Sequence, residues 1–207
     1  MIDPHLFAAF MLGALALNLT PGPDMAFVLA QSAGGGARRG VAAALGVGVG
    51  TLFHLGLAAF GLTALIAAWP LAFQIVRYIG AAYLLWMAVG MIRNPPHLGA
   101  TPHEVSAWTA FRRGALTNVM NPKVAMFFLA FLPQFVARDG GPAWVQILIL
   151  GLAFDLSGTL VNALVAFGGG RPAERLRRQP VIGRAMGWLS GGVMGALALR
   201  LAWPERR

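Results

Sequence analysis

The sequence has 207 residues, of which 57% are hydrophobic and only 11% charged, whereas a soluble domain carries charge on about a quarter of its residues. That excludes an ordinary soluble domain and predicts an all-α membrane protein. At roughly 20 apolar residues per span, the length holds about six transmembrane helices with short loops, in a single domain covering 1–207. A net charge of +9 would suggest nucleic acid for a soluble protein. In a membrane protein the position of the basic residues decides their meaning, and no nucleic-acid partner is expected. The absence of cysteine excludes disulfides, thiolate metal sites and thiol redox chemistry. His and carboxylate residues show no clustered ligand spacing, so no metal or other cofactor is expected.

The amino terminus, Met1-Ile2-Asp3-Pro4-His5, lacks the Lys/Arg that opens a secretory signal. The first apolar run therefore reads as a retained span, although Ala14-Leu15-Ala16 resembles a cleavage site. Near-continuous hydrophobicity places spans at about 6–31, 41–68, 71–93, 111–136, 143–168 and 182–203. Span one contains Asn18-Leu19-Thr20-Pro21-Gly22-Pro23-Asp24, two prolines, a glycine and a carboxylate inside an apolar run. A bilayer offers no water to backbone groups freed by proline, so such a break needs protein or a wet cavity around it. Span two is rich in glycine, from Gly46 to Gly61, and span six carries Gly187, Gly191, Gly192 and Gly195. Close helix contact explains both, and allows a homodimer as well as packing within one subunit. Gly46-Val47-Gly48-Val49-Gly50 is not a nucleotide loop, since neither a preceding strand nor a following lysine is present. Span four repeats the break as Thr117-Asn118-Val119-Met120-Asn121-Pro122-Lys123.

Loops alternate in charge. Arg38, Arg39, Arg93, Arg112, Arg113, Arg171, Arg175, Arg177, Arg178 and Arg184 fall in or beside loops one, three and five, against Arg138, Arg200, Arg206 and Arg207 on the other side. The positive-inside rule then makes those three loops cytoplasmic and puts both termini on the outer, periplasmic side of an inner (cytoplasmic) membrane. Trp69, Trp144 and Trp203 fall at the outer ends of spans, Trp108 and Trp188 near inner ends, as interfacial rings do. Trp86 lies within span three and needs a packing explanation.

Sliding the sequence by 101 positions superposes Pro21 on Pro122, Met25 on Met126, Phe27 on Phe128 and His54 on Asp155. Two halves of three spans, about 1–93 and 111–207, must then have opposite orientation. This inverted repeat, with helices 1 and 4 interrupted at Pro21 and Pro122, is the arrangement in which secondary transporters hold substrate at midplane. Thr20 or Gly22 before Pro23, and Asn121 before Pro122, read as caps followed by proline at the first helical position. The second half-helices offer free N–H groups and partial positive charge to a carboxylate. Asp24 and Lys123 add opposite charges, a match for an amino-acid zwitterion. The substrate-binding candidates are thus Thr20, Pro21, Gly22, Pro23, Asp24, Asn118, Asn121, Pro122 and Lys123, with the carboxylate at Asn121 and Pro122 and the amine at Asp24. In the plainer alternative both prolines only kink their helices, Asp24 caps a dipole and Lys123 snorkels to water.

Asp155 sits mid-span, followed by Ser157, Thr159 and Asn162. A midplane carboxylate costs about 2.5 to 3.5 kcal/mol unless protonated, paired or wetted. It is therefore the proton-carrier candidate, with a structural salt bridge to Lys123 or Arg77 as its competitor. His54 can share that proton or serve as a packing residue. Arg77, near the outer start of span three, is expected to snorkel. His5, His97 and His103 carry no role, and the connector from Asn94 to Trp108 reads as solvated.

These stretches, with Gly80-Ala81-Ala82-Tyr83-Leu84-Leu85-Trp86 and Phe131-Leu132-Pro133-Gln134-Phe135, resemble the lysine-exporter (LysE/RhtB) family of bacterial amino-acid exporters over essentially the whole chain. The resemblance implies six helices and export of an amino acid or related metabolite across the inner membrane, driven by the proton gradient. Asp24 stands where many members of that family have Asn. A channel or passive pore for a small polar solute or ion would share the broken helices without alternating access. A membrane enzyme using Ser157 or His54 is disfavoured, because no nucleophile lies in a strained turn and no metal pair is present.

Overall fold

The computed structural model describes residues 2–62, 69–94, 105–137, 139–168 and 179–203. Helix α1, Pro4–Leu19, begins where the Asp3 carboxylate accepts the His5 and Leu6 backbone N–H groups at 2.7 and 3.2 Å. It ends at Thr20, whose hydroxyl donates back to the Ala16 carbonyl at 2.7 Å, and Pro21 cannot continue the ladder. Helix α2, Pro23–Gly56, starts on the fixed φ of Pro23 and leaves helical geometry only at Gly35 and Gly36, the latter at φ 74°. That positive φ is a conformation glycine adopts freely.

The consequence is a reversal. A methyl group on Gly40 would fall 2.8 Å from Ser32 Cβ, and Arg39 Nε donates to the Gln31 carbonyl at 3.1 Å. Eight residues apart on a straight helix would stand about 12 Å apart. Helix α2 is therefore a hairpin of two helical arms joined by two glycines. Loop one, expected over the residues between spans one and two, is almost wholly helical. Arg39, expected there as a solvated loop charge, is buried and also donates to the Val105 carbonyl at 3.2 Å.

Beyond α2 the chain continues as a π-helical stretch, Leu57–Leu62, then α3, Pro70–Arg93. Helix α4, Ala107–Val119, is capped by Ser106, which accepts the Thr109 N–H at 3.1 Å. After the break at Met120 and Asn121 comes α5, Pro122–Met126, extended by a π stretch, Phe127–Phe131, and a 3₁₀ turn, Leu132–Phe135. Helices α6, Ala143–Phe167, and α7, Pro180–Ala202, complete the described chain.

The glycines of span two explain its packing. The second arm of α2 lies so close to α4 that a methyl on Gly46 would collide with the Phe111 carbonyl, and one on Gly50 would sit 2.5 Å from the Ala115 carbonyl. On its other side Gly48 admits the Thr159 hydroxyl of α6 at 2.5 Å from where its Cβ would be. Gly56 and Gly61 face open space and carry no such duty. In α7, Gly191 allows close approach to the Ala88 carbonyl of α3, whereas Gly192 has nothing near it. The two last-paired helices are also pinned by Arg77, whose Nε donates to the Leu201 carbonyl at 2.6 Å and whose Nη2 donates to the Trp203 carbonyl. Arg77 does not snorkel: it is buried, and its cation meets the carbonyl end of α7, where the helix dipole favours it.

The apolar core is aromatic. Phe10 of α1, Phe127, Phe131 and Phe135 beyond α5, and Phe154 of α6 are all buried, with the Phe127 and Phe154 rings stacked 4.5 Å apart. Such offset contacts add to area burial. Trp86 faces outward and rests on Tyr83, ring centroids 5.5 Å apart.

Among the described residues, four helical stretches are long and apolar enough to cross a membrane, and a fifth if Ala107–Val119 and Pro122–Phe135, bent by 47°, count together. One of the four, Pro23–Gly61, has 39 residues. As a rod it would reach about 58 Å, nearly twice a hydrocarbon core of about 30 Å, and the hairpin divides it. Span six begins at Pro180 rather than at 182. Of the expected third connector, residues 95–104 lie outside the described residues, as do His97 and His103.

Candidate functional site

Each break supplies a side chain to the other. Asp24, in the first turn of α2, accepts at its Oδ2 from Asn118 Nδ2 at 2.9 Å and from Asn121 Nδ2 at 2.7 Å, both from the second break. Lys123, in the first turn of α5, reaches back to the end of α1, donating to the Leu17 and Thr20 carbonyls at 3.3 and 3.0 Å. The placements follow helix polarity: a carboxylate at a helix N-terminus and an ammonium at a helix C-terminus. Both side chains are buried, so Lys123 does not snorkel to the surface. No ion pair joins Lys123 to Asp24 among the described residues. An ammonium has three donors, and Lys123 spends two.

The two helix starts are unlike. Asn121 caps its own helix, its Oδ1 accepting the Lys123 N–H at 3.0 Å, and the α-helical stretch that follows has 5 residues. Gly22 gives α2 no side-chain cap, and a methyl there would stand 3.1 Å from Lys123 Nζ. Sequence reasoning placed the anion-binding end at Asn121 and Pro122; the uncapped end beside the lysine is at Gly22 and Pro23.

A cavity lies between these breaks and α6. Of the predicted residues, Thr20, Asp24, Asn118, Lys123 and Asp155 line it. Pro21, Gly22, Pro23 and Pro122 shape the breaks, and Asn121 braces Asp24 without being part of the lining. His54 is also behind the wall: its Nε2 donates to the Asn118 carbonyl at 3.0 Å, and its ring lies beside Phe128, 6.3 Å between centroids. Asp155 accepts from Thr159 Oγ1 at 3.4 Å, and neither Lys123 nor Arg77 pairs with it. The cavity is narrow. Its volume is about 30 Å³.

Further lining residues went unpredicted. Thr51 Oγ1 lies 3.3 Å from Asn118 Oδ1, and Asn18 Nδ2 donates to the Phe154 carbonyl at 3.2 Å and to Ser157 Oγ at 3.0 Å. Asn18 and Asn118 thus do parallel work, each crossing from the end of a first half-helix to the other half of the chain. Their shared place just before a Pro break was the signal available. Thr159 and Asn162 also line the cavity, with Met25, Val47, Val124 and Phe154 as its apolar wall. Two buried acceptors there are unmet: Asp24 Oδ1 and Asn162 Oδ1 accept from no described residue. Among the described residues no group of His, Asp and Glu is placed to hold a metal.

The description of LysE type translocators matches residues 15–204. The chain belongs to the LysE type translocator family. This translocator is 36% identical over 200 residues to an uncharacterized membrane protein of Pseudomonas aeruginosa, covering 92% of this chain and 90% of that one. It is 33% identical over 208 residues to an uncharacterized membrane protein of Vibrio cholerae, covering 97% and 98%. It is also 32% identical over 202 residues to the leucine efflux protein of Enterobacter sp., covering 95% and 94%. No solved structure matches. A multi-pass membrane translocator, not an enzyme, is what the family and the apolar helices support together.

Proposed function

We propose that this translocator exports an amino acid with an apolar side chain, leucine being the first to try, across the cytoplasmic membrane in exchange for protons. The single observation that carries the reading is a buried cation and a buried anion lining one cavity without pairing, each with capacity left. Lys123 retains one N–H beside the uncapped start of α2, and Asp24 retains one oxygen. A zwitterion supplies the complement: its carboxylate meets Lys123 and the helix end at Gly22 and Pro23, and its ammonium meets Asp24 Oδ1. The side chain turns to Met25, Val47, Val124 and Phe154. The leucine efflux relative supports the substrate class.

Asp155 is the proton carrier in this scheme. It lines the same cavity, has no basic partner among the described residues, and meets the hydroxyls of Thr159, at 3.4 Å, and Thr51. His54 keeps the Asn118 carbonyl in place and so positions the amide that holds Asp24. The two halves act as inverted repeats of three spans, termini outside, and rock about the breaks. The narrowness of the cavity supports a carrier over an open pore.

Counterflow in proteoliposomes tests this. Labelled leucine should accumulate transiently against unlabelled leucine, and should saturate. Flux that never saturates and shows no exchange would make the protein a passive pore. Wild-type exchange in Asp24→Asn and Lys123→Met together would refute the assigned site.

A further inference from the structure

The cavity holds a second unmet acceptor that the scheme above leaves unused. Asn162 is 8% exposed and lines the cavity, and its Oδ1 is closed off from solvent with no donor among the described residues. It stands two turns beyond Asp155 on α6, and residues at that spacing share a helix face. Val161 and Val165 beside it pack on Met25 and Leu29 of the first arm of α2, the arm that begins with Asp24. A leucine would fill such a place without the cost of stripping an amide oxygen of water and giving it nothing in return.

We propose that Asn162 Oδ1 is the second acceptor for the substrate ammonium and makes the cavity select ammonium groups that carry at least two N–H donors. This rests on the transport reading above and adds a residue to it. A primary ammonium carries three N–H donors. Asp24 Oδ1 takes one and Asn162 Oδ1, from the facing helix, takes another. In a cavity this narrow, one small ligand touches both walls. Asp24 alone would hold any cation; two acceptors on opposite sides require at least two N–H groups on the same nitrogen. A tertiary ammonium, with one N–H, and a 2-hydroxy acid, with none, fail that requirement.

The experiment is leucine counterflow in proteoliposomes, competed with N,N-dimethylleucine and with the 2-hydroxy acid of the same carbon skeleton. In Asn162→Leu, half-saturation by leucine should rise roughly tenfold, the weight of one hydrogen bond to a charged group. The maximal rate should change little, and the preference for leucine over N,N-dimethylleucine should fall with affinity. Asn162→Asp keeps an acceptor and should keep or sharpen that preference, a rescue that a packing role would not give. Should Asn162→Leu fail to accumulate, Asn162→Asp decides: a preference lost there overturns the proposal. An unchanged preference in Asn162→Leu, with saturable wild-type exchange, overturns the Asn162 assignment alone. No saturable exchange in the wild type overturns the transport reading, and this proposal with it.

Discussion

The two breaks share a proline and a place in the repeat, yet they are built for different work. The first ends a helix on carbonyls met by Lys123 and by the Thr20 hydroxyl, and starts the next without a side-chain cap, because Gly22 has none to offer. The second caps itself through Asn121 and lends its amides and its lysine to the first. The first break is therefore left open at the start of α2, and the second braces it. The difference teaches that a repeat in sequence need not mean two equivalent half-sites.

The largest effects should come from the charges exchanged between the breaks. Lys123→Met and Asp24→Asn should each cut leucine exchange by at least about thirtyfold, since removing one member of a buried hydrogen-bonded charge set costs about 2 kcal/mol or more. The exchanged pair, Asp24→Lys with Lys123→Asp, should not restore activity, because each charge would then face the wrong end of a helix dipole. Recovery in the exchanged pair, measured by the same counterflow, would make the breaks equivalent after all. Next is Asp155→Asn. The wild type should export faster when the outside is made more acidic than the inside, because protons enter as substrate leaves. The variant should lose that dependence while keeping leucine exchange at equal pH. Efflux rates under imposed pH gradients check it.

Smaller effects separate cap from receptor. Asn121→Ala should lower thermal stability in detergent, through loss of a cap worth about 1 kcal/mol and of one amide on Asp24. Gly22→Ala should cost less stability than Asn121→Ala, since no side-chain cap is lost, but raise the half-saturation for leucine several-fold, because its methyl would press on Lys123 Nζ at 3.1 Å. If the two variants behave alike, the asymmetry drawn here is wrong. Gly192→Ala, inside α7 with nothing near it, is the neutral reference for transport, and should raise stability slightly because alanine favours a helix interior.

Much of the frame was legible because proline in an apolar run has few physical outlets. Pro21 and Pro122 marked both breaks, and the glycines of span two announced the tight seam with α4. Asp24 and Lys123 were legible as charges that lipid would not tolerate. What failed to show was direction across space. Arg77 looked like an interfacial residue because its sequence neighbourhood is a helix start, and its true partners, Leu201 and Trp203, lie at the far end of the chain. Arg39 looked like loop charge because Gly34-Gly35-Gly36 reads as a break, but only two residues leave the helix there. A lone amide such as Asn162 has no partner in sequence to give it away. Its unmet oxygen is visible only once the facing helix is in place.

The join at Gly35 and Gly36 has a mechanical consequence. Two residues give little slack, so in the rocking scheme proposed above the arms of α2 would move as one lever between Pro21 and the π-helical stretch Leu57–Leu62. A foreign peptide spliced between those glycines would lengthen the fulcrum and uncouple the stroke, while leaving every residue around the cavity in its place.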